Sequence, residues 1–228
     1  MRYGRPDSRT FLFRRSDARI IDDWHVLGLR GTGSDSYAVS DLFIPDSRAP
    51  LRDSPDERRE TGPLYPIGSV ALYACGFSSV TLGIARRLLE TYTELTRDRS
   101  SRGSPTSMAR NNAVQQEIAT LEARLSASRA LLHEAAGEAY AASERGALDL
   151  DRRMRLRLAT TLAMKEATDV SVACYRAAGT SAIRISAAPF ERRLRDALTA
   201  SQHVQGALPL VEMVGRHIIG TDNVVALL

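Results

Sequence analysis

The distribution of apolar positions changes character near Pro50. Upstream they come in short runs: "RTFLFRR" and "ARIIDDW" stand between polar breaks, and in "SYAVSDLFIP" Tyr37, Val39, Asp41 and Phe43 alternate with Ala38, Ser40, Leu42 and Ile44. A period of two marks a half-buried strand, so residues 1–50 are expected to hold at most three or four strands. That is too few to close a barrel, and it leaves edges to be covered. The proline-rich, charge-dense stretch "APLRDSPDERRETGPLYP" then reads as a linker, placed at 51–65.

From residue 66 onward the period lengthens. Ile67 to about Arg97, Ala113 to about Arg145, Leu150 to about Ala178 and Phe190 to about Ile219 each predict a long helix, separated by polar or small-residue breaks. In the second run Val114, Ile118, Leu121, Leu125, Ala127, Leu131 and Leu132 recur at helical spacing, with alanines between them that permit close approach. Four such helices default to an antiparallel bundle, so the expected class is mainly α: a short β-sheet remnant followed by a four-helix bundle over 66–228.

Composition narrows the functions available. With 31 basic and 27 acidic residues the excess is +4, too small for a nucleic-acid groove. Thr61 to Ala85 carries no charge, yet its Gly, Ser and Thr content dilutes it below the apolarity of a spanning helix, so no membrane is expected. The opening "MRYGRPDSRT" has no apolar core of a signal peptide, and the isolated Cys75 and Cys174 read as buried free thiols. Both point to the cytoplasm.

Three stretches carry candidate chemistry. "WHVLGLRGTGSDSY" lacks the Gly-Lys-Ser/Thr of a Walker loop, and its glycines lead into a strand pattern where a dinucleotide fingerprint opens a helix. Arg192, Arg195, Asp196, Thr199 and His203 follow at steps of three or four, a polar stripe on one helix, with Leu194, Leu198, Val204, Leu208 and Val211 as the packing side. Such a stripe lines a cleft or forms a solvated, salt-bridged face. In "AAGTSAIRIS" the small and hydroxyl residues Gly179, Thr180 and Ser181 suit a phosphate through backbone N–H and hydroxyl groups, or else form a helix C-cap and connector. His25, His133 and His217 read as ordinary surface or core residues, and no His or Cys pair has metal-ligand spacing, so no metal site is expected.

Taken together, these stretches resemble the acyl-CoA dehydrogenase superfamily. Trp24 to Pro45 is similar to the end of its middle β-domain, "NNAVQQEIATLEARLSASRALLHEA" to the second helix of its C-terminal bundle, and "AAGTSAIRISAAPFERRLRDALTASQHV" to its closing motif. A His at 203 in place of a dehydrogenase glutamate looks like the flavin-dependent monooxygenase branch, whose relatives oxidise aromatic or heterocyclic substrates with O2 and reduced flavin from a separate reductase. The resemblance implies FAD or FMN as cofactor and His203 as catalytic residue, acting as base toward a phenol or as a hydrogen-bonding group. It implies that Gly179, Thr180, Ser181, Arg192 and Arg195 bind the cofactor, Arg195 alternatively bracing the helix through Asp196.

Two other readings stand beside this one. An acyl-CoA dehydrogenase would need a carboxylate, for which Glu212 is the candidate, although its i,i+4 spacing to Arg216 suits an ion pair. A non-enzymatic helical interaction domain needs neither. Relatives carry a leading helical domain and a complete β-domain. The resemblance therefore implies a fragment, a truncated product or a chain completed by an upstream polypeptide, with weak flavin binding alone, and it implies self-association as a dimer or tetramer.

Overall fold

Three of the four apolar-periodic runs become single long helices in the computed structural model, which describes residues 8–100, 107–185 and 190–221. They are α1 (Ser69–Asp98), α2 (Asn112–Glu144) and α3 (Leu150–Ala178). Both α2 and α3 begin at a side chain that satisfies the first free N–H groups. The Asn111 side-chain oxygen accepts from Ala113 and Val114 at 2.9 and 3.4 Å, and Asp149 accepts from Arg152 at 2.9 Å.

Cross-helix pairs fix the directions. Arg86 meets Glu122 and Tyr92 meets Glu117, which runs α1 and α2 in opposite senses; Arg124 with Glu166 and Arg155 with Glu134 do the same for α2 and α3. Buried alanines at 135, 139, 159, 163 and 167 let these backbones approach, around the large side chains of Tyr92, Leu88, Leu125 and Phe190. The charge-free start of α1 is part of this core. Its buried Ser78 and Thr81 donate one turn back, to Ala74 and Ser78 carbonyls at 2.8 Å, so the hydroxyls cost little inside. No helix among the described residues is long and apolar enough to cross a membrane.

The expected fourth helix is broken in two, α4 (Phe190–Ser201) and α5 (Leu208–Ile219). Between them His203 is extended, at φ −67° and ψ 140°, and residues 204–206 form a 3-10 turn. Proline supplies the reason. In a continuous helix Pro209, which has no N–H, would leave the carbonyl of Gln205 without its donor and clash with it, whereas in the first turn of α5 no such bond is needed. The stripe from Arg192 to His203 is therefore not one helical face, and two positions expected to pack, Val204 and Leu208, are 61% and 69% exposed.

The β segment is also smaller than expected. Among the described residues only β1 (Arg19–Ile21) and β2 (Ser36–Ala38) pair as strands, antiparallel, with Ile20 opposite Tyr37. "RTFLFRR" contributes an isolated bridge from Arg9 to Leu51 and no strand, and the alternation after Ala38 is interrupted where Asp41 takes a left-handed φ of 51°.

Candidate functional site

The glycine-rich turn after Trp24 sits directly on α4. A Cβ on Gly28 would lie 2.2 Å from the carbonyl oxygen of Arg195, so only glycine allows this approach. Leu29 follows in the left-handed region at φ 53°, an uncommon conformation for a residue with a γ-branched side chain. Bonds on both sides hold it: its N–H donates to Asp196 Oδ1 at 2.7 Å, and its carbonyl accepts from Trp24 Nε1 at 3.1 Å. Arg195 completes the clamp. Its guanidinium donates to both Glu191 oxygens at 2.8 and 3.2 Å and to the Leu27 carbonyl at 2.9 Å. The Arg-Asp pair of α4 thus fastens the turn to the bundle, with Asp196 gripping the turn and Glu191 pairing with Arg195.

His203 lies just beyond α4, in the break. Its ring stacks on Phe77 of α1 with centroids 3.6 Å apart, and its Nδ1 accepts from the Gln205 N–H at 3.2 Å. The ring is partly buried, and that burial pushes its pKa below the usual imidazole value. Beneath it, the Gln205 side-chain oxygen accepts from the guanidinium of Arg157, a buried arginine of α3. Thr161 donates to the carbonyls of Arg157 and Gln205, at 3.0 and 3.3 Å. Burial lowers the pKa of Arg157 and raises that of the neighbouring Cys75, each acting on the other in the opposite direction.

Gly179 to Ser181 form a 3-10 turn at the far end of α3, where Gly179 ends the helix at φ 56°. Ser181 is 7% exposed, and its Oγ is buried with no hydrogen-bond partner among the described residues. Such an orphan is what a ligand oxygen or phosphate would satisfy. Arg192 is exposed in the first turn of α4, and Ser186 to Pro189, the remainder of the expected loop, lie outside the described residues. This loop and His203 are not brought together. Thr161, beside the His203 turn, and Ala178 are separated along α3 by about 25 Å at the α-helical rise.

Other candidates resolve more simply. Glu212 faces Arg216 at 4.0 Å, both half exposed, and His217 Nε2 meets Asp151 at 2.7 Å across α5 and α3. No group of three potential metal ligands occurs among the described residues. Sequence reasoning missed Phe77, Gln205 and Arg157. Arg157 had one visible signal, a cation inside the otherwise apolar and small-residue run "LRLATTLAM".

The family model for the acyl-CoA dehydrogenase C-terminal domain matches residues 75–207. An indole-3-acetate monooxygenase of Pseudomonas putida is 30% identical over 196 residues, covering 86% of this chain and 50% of its own. A crystal structure of 3-HSA hydroxylase from Rhodococcus sp. RHA1 superposes with a TM-score of 0.87 at 26% identity, over 99% of this chain and 60% of that one. XiaF from Streptomyces sp., solved with FADH2 and glycerol, shares the fold at a TM-score of 0.83 and 24% identity, over 94% and 56%. The chain spans about half the length of the curated relatives it matches.

Proposed function

Because the chain belongs to the acyl-CoA dehydrogenase C-terminal domain family, we propose that it supplies the bundle and the site imidazole of a flavin-dependent monooxygenase acting on an aromatic or heterocyclic small molecule. The observation that carries this reading is His203 itself: an imidazole, on a partly exposed aromatic ring, stands where α4 breaks. The dehydrogenase alternative lacks comparable support, since Glu212 is exposed and faces Arg216. The relatives named as monooxygenases and hydroxylases favour the same branch.

FAD or FMN, reduced by a partner reductase, supplies electrons and O2 activation when bound. The chain's own residues do the rest. Phe77 offers a flat apolar wall, and the His203 imidazole sets a hydrogen-bonding group beside it. Ser181, with the backbone of Gly179 and Thr180, holds a cofactor phosphate, the orphaned Oγ being the fit that supports this assignment. Arg192 adds positive charge at that end, while Arg195 acts through the clamp. With about 25 Å of α3 between loop and imidazole, we assign the loop to the cofactor of a second copy, which makes self-association part of the site. An upstream polypeptide, in the same chain or separate, supplies the remaining walls.

The test is His203→Ala in an assembly that binds flavin. Substrate oxidation is expected to fall by about a hundredfold or more, with helix content and flavin affinity retained. Unchanged turnover removes His203 from the chemistry, and bleaching of bound flavin by an acyl-CoA would replace this reading with the dehydrogenase one.

A further inference from the structure

Among the described residues the His203 ring is engaged at Nδ1, by the Gln205 N–H, and on one face, by Phe77. A backbone nitrogen can only donate, so the 3.2 Å contact from the Gln205 N–H requires a lone pair on Nδ1. In the neutral ring the proton then resides on Nε2. The cation would set two donors against each other at Nδ1, and burial of the ring opposes charge as well.

The contact is held from below. Gln205 is buried; its side-chain oxygen is gripped by Arg157 and its carbonyl takes the Thr161 hydroxyl at 3.3 Å, so the short turn after His203 is anchored to α3 at two points. Gly206, the next residue, also packs on α3: a Cβ there would come within 3.2 Å of the Met164 side chain.

We propose that Arg157 is a positioning residue which, through Gln205, locks His203 as the Nε2–H tautomer. His203 then meets the substrate as a hydrogen-bond donor, selecting an anionic or carbonyl oxygen, and does not remove a proton. A phenol binds through its oxygen, either neutral or as phenolate that has already lost its proton to water, with the N–H on that oxygen, and substrates lacking an oxygen acceptor at that point are bound poorly. This inference rests on the reading of His203 as the site imidazole, but its test does not need flavin or substrate.

The experiment is long-range nitrogen–proton NMR on the full chain labelled with nitrogen-15 histidine at neutral pH, the His203 signals being identified by their loss in His203→Ala. The expected spectrum has a pyridine-like Nδ1 well separated from a protonated Nε2. Arg157→Met and Gln205→Leu should each collapse that separation toward averaged shifts while the circular dichroism stays helical, and Gln205→Glu, which can still pair with Arg157, should restore it. Averaged or Nδ1-protonated shifts in the unaltered chain overturn the proposal, as does an unchanged tautomer in both Arg157→Met and Gln205→Leu. If oxidation depends on His203 yet its shifts are averaged, the site reading stands and the tautomer lock falls. A locked tautomer with oxidation indifferent to His203 retains the lock and removes the donor role toward substrate.

Discussion

Gly28 is defined by what a distant residue requires. Its missing side chain makes room for the backbone of Arg195 and Asp196, and the next residue is bent into the left-handed region so that its N–H reaches the Asp196 carboxylate. Gly28→Ala is therefore expected to lift the turn from α4 and to destabilise by about 1–3 kcal/mol, the usual cost of overpacking. Gly31→Ala is the control, because a Cβ there meets nothing within 4 Å. Urea unfolding with Trp24 fluorescence distinguishes the two: a midpoint shift for Gly28→Ala, and none for Gly31→Ala. Neither the approach nor the Asp196 bond was visible from spacing, since both join segments far apart in the chain. From the sequence pattern, the glycines match neither a Walker loop nor a dinucleotide fingerprint.

Among the elements, α1, α2 and α3 were legible because each repeats its apolar period over many turns, and α2 and α3 also open on a local side-chain cap. The fourth run was not, since periodicity persists across a break that a single Pro209 enforces, and His203 owes its extended backbone to that break. The candidate site followed the same division: His203 was readable as a residue type at a motif position, while Arg157 and Phe77 depended on which helix packs beside it. Between α1 and α2, Arg86 donates to both oxygens of Glu122 and holds that carboxyl at about 2, below the usual carboxylate range. A depressed carboxylate contributes stability above its unfolded pKa and loses it as pH falls through the folded one. Glu122→Gln should thus lower stability at pH 7 and flatten the decline between about pH 4.5 and pH 2. Both partners are substantially exposed, so the effect is expected to stay below about 1 kcal/mol. Thermal melts across that pH range check it; identical slopes for both chains would assign the depressed pKa no energetic consequence.

At the scale of the molecule, α3 is the axis against which all the other helices pack, and apolar side chains remain outside it. Tyr73 and Val80 on α1, Val204 in the turn and Leu208 at the start of α5 are exposed beside or near the Phe77–His203 stack. The self-association proposed above predicts that sedimentation equilibrium at micromolar concentration gives a mass above the 25.0 kDa of one chain. A clean monomer would leave the Gly179–Ser181 loop without the second cofactor assigned to it. The clamp between the Trp24 turn and α4 has a further consequence, in time. The hydrogen bond from Leu29 to Asp196 spans 167 positions, so during synthesis the turn emerges long before its seat exists. At about 5–20 residues per second the wait is on the order of ten to thirty seconds. Throughout it, the two short strands have unpaired edges and the left-handed Leu29 has no acceptor from α4. The Trp24 turn thus reaches its native seat only after α4 has been made, although it precedes the whole bundle in the chain.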